Sequence, residues 1–189
     1  MRIVGGEFRG RPLAAPAGRA TRPTADRLRQ TLFDILAHAH GDPVTGARVL
    51  DLFAGTGALG LEALSRGAAF ALFVEEAFAA RGLIRANIEA LGLTGRTRIF
   101  RRDATRLGPA GTVAPFDLVF ADPPYGQGLS ELALASGLAG GWLAPGGLAI
   151  VEDDAAARFA PPAGLVEVDT REIGGTRLVF LRAGPGATG

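Results

Sequence analysis

The sequence predicts an α/β fold with a mostly parallel seven-stranded sheet, and three observations predict it. Short apolar runs alternate with segments of helical pattern between residues 48 and 152, which is the order of strands and crossover helices in a parallel sheet. A glycine-rich turn follows the first of these apolar runs. Near the end of the chain, two strand-like runs flank Gly174–Gly175, which indicates that the sheet finishes with an antiparallel hairpin.

The residues before the alternating pattern predict a small β-hairpin, a linker and a helix. Residues 2–4 and 8–13 have the pattern of two short strands around Gly5–Gly6. Residues 14–23 are rich in Pro, Ala and Gly, which is typical of an extended linker. Apolar residues then recur at helical spacing, and Thr24 is the predicted N-cap of that helix.

Seven strands and three further helices complete the prediction. The strands are predicted at residues 48–53, 70–75, 97–101, 116–121, 147–152, 165–170 and 176–182. The helices are predicted at residues 57–66, around residues 83–91 and at 129–139. We therefore divide the chain into an N-terminal hairpin and linker (1–23), one α/β domain (24–182) and a disordered tail (183–189).

Length and composition exclude several classes of protein. The 189 residues are 48% hydrophobic, which suits one compact domain, and no run of about 18 apolar residues could span a membrane. The chain has no Cys and only two His, so we expect neither disulfides nor a metal site. The N-terminus lacks an apolar signal core, so we expect a cytoplasmic protein, and we expect it to be a monomer.

The basic residues are unevenly distributed although the net charge is only +1. All 20 are arginines. Residues 1–30 contain seven arginines against two acids, a net charge of +5, and residues 81–106 repeat that balance. Two basic blocks on a nearly neutral chain favour a polyanionic partner, although ordinary solvated faces would give the same composition.

The glycine-rich turn lies in the sequence LDLFAGTGALGLEAL, residues 50–64. Gly55 and Gly57 allow the backbone to turn tightly and to approach a ligand closely. The spacing would also suit a pyrophosphate at the start of the following helix, but Asp51 would repel one. A carboxylate here favours a cation, such as an ammonium or a sulfonium. S-adenosylmethionine carries both, together with a carboxylate that the N–H groups of the turn can bind.

Acidic residues also end the next two strands. Glu75 follows the second strand, where an acid binds a ribose diol in dinucleotide-binding folds. That feature does not discriminate, because NAD and S-adenosylmethionine both contain ribose. Asp103 follows the third strand, within reach of an adenine amino group. A glycine turn by itself is weak support, since it also eases helix–strand packing.

A second motif, ADPPYG at residues 121–126, follows the fourth strand. The two prolines fix the backbone and leave carbonyl oxygens as acceptors. Asp122 and the Pro123 carbonyl could accept both N–H bonds of an exocyclic amine on a nucleobase, and Tyr125 could stack on the base. The alternative is a proline-rich turn with a capping aspartate.

These two motifs resemble Rossmann-like, S-adenosylmethionine-dependent amino-methyltransferases. The opening MRIVGGEFRGRPL and the segment TRPTADRLRQTLFDIL make the chain similar to the bacterial family of small-subunit ribosomal RNA methyltransferase D, over roughly residues 1–182. The resemblance implies methyl transfer to the exocyclic N2 of a guanine in 16S ribosomal RNA. It implies an amine site at Asp122, Pro123, Pro124 and Tyr125. It implies these cofactor contacts: Asp51, Phe53, Ala54, Gly55, Gly57, Glu75, Asp103 and Ala104.

Four arginines are candidates for binding RNA phosphates, and they are Arg9, Arg11, Arg22 and Arg27. The chain departs from the family pattern at Ala77, where a polar residue is usual, so we expect a weaker cap on the helix that follows Glu75. Three alternatives stay open on the sequence alone. They are an adenine-N6 methyltransferase, an NAD-dependent oxidoreductase and a non-catalytic RNA-binding protein.

Overall fold

The computed structural model describes residues 1–16, 23–124 and 127–184. Four helices are present in that part of the chain: α1 Pro23–Ala39, α2 Ala58–Ser65, α3 Phe78–Leu91 and α4 Leu129–Ala139. The strands there are β1 Arg48–Leu52, β2 Phe70–Val74, β3 Thr97–Phe100, β4 Phe116–Ala121, β5 Leu143–Asp154, β6 Leu165–Ile173 and β7 Thr176–Ala183. Short 3-10 turns occur at Thr94–Arg96 and Ala104–Arg106.

The strands form one sheet in the order β3-β2-β1-β4-β5-β7-β6. The first five strands are parallel to one another, and β7 pairs antiparallel with both β5 and β6. The predicted fold class is therefore confirmed. The order reverses between β1 and β4, so their carboxyl ends flank the crevice in which ligands bind in such sheets.

Both faces of the sheet are covered, and most residues of its central strands are apolar and buried. Phe73 and Phe120 belong to the hydrophobic core that includes residues of α1, α2 and α3. The other core lies around α4 and contains Trp142, whose indole N–H donates to the Gly108 carbonyl at 2.7 Å. The helices thus hold the strand ends, and the side chains that follow them, in fixed positions.

The N-terminal hairpin is smaller than predicted. It is reduced to one antiparallel bridge between Arg2 and Pro12, supported by a hydrogen bond from the Ile3 N–H to the Arg11 carbonyl at 3.0 Å. The N–H groups of residues 4, 5 and 8 donate to side chains of α2 and so do not extend a ladder between the two segments. Ile3 and Leu13 are nevertheless buried in the core that α1 and α2 share.

Two predicted boundaries at the ends of the α/β domain are wrong. Helix α1 begins at Pro23, so Thr24 lies inside the helix and not at its N-cap. Proline is favoured in the first turn because that turn has no use for its missing N–H. The tail begins later than residue 183, because β7 includes Ala183 and the Gly184 N–H donates to the Gly164 carbonyl at 3.0 Å. Residues 185–189 and linker residues 17–22 lie outside the described residues.

No helix in residues 1–16, 23–124 and 127–184 combines the length and the apolar character needed to cross a membrane.

Candidate active site

The site is built where the carboxyl ends of four neighbouring strands meet. Leu52 at the end of β1 pairs with Val74 at the end of β2 and with Ala121 at the end of β4. Val74 pairs in turn with Phe100, the last residue of β3. The four turns that the sequence singles out therefore follow one another along the same edge of the sheet.

Asp51 lies beneath the glycine turn. Its side chain is only 2% exposed, and one carboxylate oxygen accepts a hydrogen bond from the Gly60 N–H at 2.9 Å. Burial raises the pKa of Asp51 to about 7; the Gly60 hydrogen bond works against the rise, and the nearby Glu75 carboxylate adds to it. A buried carboxylate that is half protonated at neutral pH would become fully charged beside a cation.

The glycine turn leaves β1 in a strained conformation. Phe53 has a left-handed φ of 59°, which is uncommon for a bulky residue and typical of functional turns. The Ala54 N–H donates to the Val74 carbonyl at 3.1 Å, and the Gly55 N–H donates to a Glu75 oxygen at 2.8 Å. Gly57 has a φ of 78°, so glycine is required where the turn enters α2.

Gly60 is the most closely packed of the three motif glycines, which are Gly55, Gly57 and Gly60. A Cβ at this position would lie 2.5 Å from the Phe73 ring and 3.2 Å from the Asp51 carboxylate. The ring is fully buried and has little room to move. Gly60→Ala is therefore expected to lower the free energy of unfolding by about 1–3 kcal/mol and to weaken binding of S-adenosylhomocysteine. Urea titration and calorimetry measure the two effects.

Gly82 provides the matched control, because it is also a helical glycine. A Cβ there would meet no atom within 4 Å, and the residue is exposed on α3. Gly82→Ala is expected to raise stability by up to about 1 kcal/mol and to leave ligand binding unchanged. Equal effects of the two substitutions would show that close packing at Gly60 does not shape the site.

Glu75 joins the glycine turn to helix α3. One of its oxygens accepts from the Gly55 N–H, and the other accepts from the Ala77 N–H at 2.8 Å. Ala77 is the N-cap of α3 and makes no side-chain hydrogen bond, which agrees with the weak cap expected there. The carboxylate of Glu75 therefore both supports the turn and presents a negative charge at the end of β2.

Asp103 and Ala104 follow β3, as predicted. Asp103 is half-buried, and one of its oxygens accepts from the Thr105 N–H at 2.8 Å and from the Thr105 hydroxyl at 2.7 Å. These two hydrogen bonds keep the pKa of Asp103 below its ordinary value. Ala104 is buried next to it.

Asp122 follows β4 and faces solvent, whereas Pro123 is buried and Pro124 is exposed. The surrounding protein, followed by the carboxylates of Glu152 and Asp51, raises the pKa of Asp122 above its ordinary value. The residue is exposed to water, which screens these effects and limits the rise. Tyr125, the fourth residue of the motif, lies outside the described residues.

Glu152 is a site residue that the motifs do not reveal. It lies on β5, and its neighbour Val151 pairs with Ala121, the residue before Asp122. The signal available in the sequence is an acid at the end of a fifth apolar strand, which meets the same edge of the sheet. The strand continues to Asp154 and includes Glu152.

The arrangement is a row of carboxylates beside a tight glycine turn. Acceptors of this kind suit a ribose diol, an ammonium group and an exocyclic amine, and they disfavour a pyrophosphate. The residues present therefore fit S-adenosylmethionine. Within the described residues, no group of three or more His, Cys, Asp or Glu side chains is arranged to hold a metal ion.

The structure places three of the four candidate RNA-binding arginines on the surface. Arg9 and Arg11 are exposed on the N-terminal segment, and Arg27 is exposed on α1. The Arg11 guanidinium donates to the Ala90 carbonyl at 2.9 Å, which ties that segment to α3. Arg22 falls within residues 17–22, outside the described part.

Buried polar side chains that the motif analysis missed fasten the N-terminal segment, residues 1–16, beside the site. Glu62 on α2 is completely buried and accepts from the N–H groups of Val4 and Gly5, each at 2.8 Å. Asn87 on α3 accepts from the Ala14 N–H at 2.7 Å and donates to the Thr56 carbonyl of the glycine turn at 3.0 Å. For Glu62, the only signal in the sequence is a charged residue within an otherwise mostly apolar helix.

Comparisons with known proteins agree with this architecture. Residues 1–182 match the family described as "Conserved hypothetical protein 95". The chain is 42% identical over 155 residues to ribosomal RNA small subunit methyltransferase D of Escherichia coli strain K12, covering 82% of this chain and 75% of that protein. It is 33% identical over 157 residues to the protein of the same name from Haemophilus influenzae, covering 82% and 79%.

Solved structures show the same similarity over a longer span. The Escherichia coli protein yhhF superposes with a TM-score of 0.81 at 33% identity, covering 98% of both chains. HI0767 from Haemophilus influenzae superposes with a TM-score of 0.78 at 26% identity, covering 97% of this chain and 98% of that one. TrmN from Thermus thermophilus has a TM-score of 0.66 at 28% identity, covering 82% and 48%.

Proposed function

Because the chain belongs to the ribosomal RNA small subunit methyltransferase D family, we propose that it transfers a methyl group from S-adenosylmethionine to the exocyclic N2 amine of a guanine in small-subunit ribosomal RNA. The observation that carries the proposal is the position of Asp122. It is exposed at the end of β4, directly beside the glycine turn that follows β1. A nucleobase and a cofactor could therefore lie next to each other over one edge of the sheet.

Three acids would hold the cofactor. When bound, S-adenosylmethionine supplies a methyl group activated by its sulfonium. Asp51 would attract the positive charges of the methionyl part, Glu75 would accept from the ribose hydroxyls, and Asp103 would accept from the adenine amino group. The N–H groups at the start of α2 would face the methionyl carboxylate. Water is excluded from Asp51, which strengthens its electrostatic effect.

The amine would be held by the turn after β4. An exocyclic amine is a poor nucleophile because its lone pair is delocalised into the ring. Asp122 and the Pro123 carbonyl would accept its two N–H bonds and direct the lone pair towards the methyl group. As the amine takes up the methyl group it would release a proton to solvent, so a strong base is unnecessary, and the cofactor would leave as S-adenosylhomocysteine. The rate gain would come chiefly from alignment of the two reacting atoms.

The RNA substrate would be held partly by the N-terminal segment and partly by α1, which carries Arg27. Arg9, Arg11 and Arg27 are exposed, and their guanidinium groups suit phosphate oxygens. Glu62 and Asn87 anchor this segment to α2 and α3, so its arginines keep a fixed position relative to the glycine turn. A target base in structured RNA would first have to leave its stack to reach Asp122.

Cofactor binding is expected to strengthen as the pH rises towards 8. The pKa of Asp51 is raised to about 7, so the carboxyl group is mostly protonated at pH 6 and ionised at pH 8. A bound ammonium group favours the ionised form of Asp51. At low pH, binding is therefore accompanied by release of a proton from the Asp51 carboxyl group. If only that form binds, S-adenosylhomocysteine should bind about tenfold more weakly at pH 6 than at pH 8. Calorimetry at several pH values measures this.

Asp51→Asn is expected to remove that pH dependence. Asp103→Asn is the matched control, because the pKa of Asp103 is lowered and its carboxylate does not titrate in this range. Asp103→Asn should bind S-adenosylhomocysteine more weakly but show the same pH dependence of binding as the unmodified protein. Identical affinities of the unmodified protein at pH 6 and pH 8 would contradict the assignment of Asp51 to the cation.

The deciding experiment is transfer of a tritiated methyl group from S-adenosylmethionine to small-subunit RNA that lacks the modification. We expect incorporation into one guanine, and mapping of the base identifies the modified atom. Methylation of adenine N6 would identify a different amino-methyltransferase. Thermal stabilisation by NADH and none by S-adenosylhomocysteine would overturn the proposal.

A further inference from the structure

The second basic block, residues 81–106, lies along the β3 edge of the sheet. Its arginines belong to α3, to β3 and to the turns on either side of β3. They are Arg81, Arg85, Arg96, Arg98, Arg101, Arg102 and Arg106. Because β3 is the outermost strand, no further strand covers this edge in the described part of the chain.

Most of this charge is exposed and lacks an acidic partner. Arg85, Arg98, Arg101, Arg102 and Arg106 are all exposed. Within the described residues, none of the seven arginines forms an ion pair with a carboxylate. Arg106 does interact electrostatically with an acid, since its charge helps to lower the pKa of Asp103.

The first basic block, residues 1–30, differs from the second because some of its arginines form ion pairs with acids. Arg29 is 5% exposed, donates to Asp26 at 2.8 Å and lies 3.4 Å from Glu62. Arg2 also pairs with Asp26, at 3.8 Å. Part of the N-terminal charge is therefore neutralised within the fold, whereas no carboxylate pairs with the charge along β3. Arg81, Arg96 and Arg102 donate to backbone carbonyls. The hydrogen bonds of the described residues leave Arg85, Arg98 and Arg101 as the donors most accessible to a partner.

A groove extends this surface towards the amino ends of the strands. Its volume is about 290 Å³, and Arg48, Phe70, Leu72 and Arg98 contribute to its lining. The Arg48 guanidinium lies 4.8 Å from the centre of the Phe70 ring and donates to the Pro115 carbonyl at 3.2 Å. One wall of the groove is thus a fixed cation on an aromatic ring, and the other is the exposed Arg98.

We propose that the β3 edge is a second RNA-binding surface, which holds the sugar–phosphate backbone of the substrate RNA. This inference rests on the proposed function. Charge complementarity favours RNA, because unpaired guanidinium groups match phosphate oxygens. Position favours it too, since Arg101 and Arg102 immediately precede Asp103 at the site. Arg98 lies on β3 and Arg101 follows the last residue of that strand, so the two side chains would contact different phosphates.

The test is the salt dependence of binding to an in vitro transcript of small-subunit ribosomal RNA. The double substitution Arg98→Gln and Arg101→Gln is expected to reduce the slope of log K against log KCl concentration by roughly 1.4–1.8, or 0.7–0.9 for each phosphate that the variant no longer binds. The control is Arg158→Gln with Arg171→Gln, which lie in the loop before β6 and on β6, the strand at the opposite edge of the sheet. It removes the same formal charge from exposed positions, although Arg171 pairs with Asp169 at 3.0 Å, and it should leave the slope unchanged.

The outcomes separate this inference from the proposed function. If the unmodified protein methylates the RNA and the β3-edge variant keeps its full slope, the second surface is wrong and the methyltransferase proposal stands. Equal reductions of the slope in the test and control variants would show a general effect of net charge. That result would also contradict the proposal of a second RNA-binding surface. If the unmodified protein neither binds nor methylates the transcript or the small-subunit particle, the proposed function itself fails.

Discussion

Replacing Asp122 by alanine is expected to lower kcat for methyl transfer by roughly 10²- to 10³-fold, with little change in cofactor affinity. The substitution removes one of the two acceptors proposed to align the amine, while the acids proposed to hold the cofactor remain. The side chain is exposed, so its loss leaves no buried partner unsatisfied. Single-turnover transfer of a tritiated methyl group, together with calorimetry of S-adenosylhomocysteine, separates the chemical step from cofactor binding.

Asp117→Ala is the matched control for this experiment. Asp117 lies on the same strand, β4, and is also exposed, but it accepts from the Arg48 N–H near the amino end of the sheet. Its loss is expected to leave kcat within about twofold, because surface substitutions away from a site have small effects. An Asp122→Ala variant as active as this control would show that the carboxylate does not orient the amine.

The pH dependence of the reaction provides a second readout for Asp122. A protonated carboxyl group donates one hydrogen bond and so competes with the amine, whereas the ionised group only accepts. Because the pKa of Asp122 is raised, kcat should increase with pH through the range in which this group ionises. Loss of that increase in Asp122→Ala would assign it to this residue.

The sequence predicts the fold well where the pattern is local. Strand β4 and helix α4 have the predicted bounds, since apolar residues and flanking glycine or proline residues mark both ends. The extension of β5 to Leu143–Asp154 could not be predicted, because it depends on pairing with β7, which is distant in the chain. The N-terminal hairpin is shorter than predicted because several of its backbone N–H groups donate to side chains of α2, which is distant in the chain.

The candidate site was predictable to the extent that it follows from topology. Asp51, Glu75, Asp103 and Asp122 could be placed together because the carboxyl ends of parallel strands share one edge. The contribution of Glu152 was not predicted, since it requires the neighbours of β4 to be known. The left-handed conformation of Phe53 was not predicted either, because bulky residues rarely adopt it and no local signal marks the exception.

Replacing Glu62 by alanine is expected to produce the largest loss of stability, about 3–5 kcal/mol. Glu62 is fully buried and accepts from the N–H groups of Val4 and Gly5, and from the Arg66 guanidinium at 2.8 Å. Its loss would leave two backbone donors without an acceptor. It would also leave the buried Arg29 with one acidic partner instead of two. Urea unfolding measures the free energy, and the melting temperature should fall by roughly 6–20 °C.

Glu89→Ala is the matched control, because Glu89 is an exposed helical glutamate on the neighbouring helix α3, and its loss should change stability by no more than about 0.5 kcal/mol. Hydrogen exchange gives a local readout, since the Val4 and Gly5 amides should lose protection in Glu62→Ala. Glu62→Gln keeps one acceptor oxygen, so its free energy of unfolding should lie between those of Glu62→Ala and Glu89→Ala. If Glu62→Ala were as stable as the control, the N-terminal segment would have to be held by its other contacts. These are the burial of Ile3 and Leu13 and the hydrogen bonds to Ser65 and Asn87.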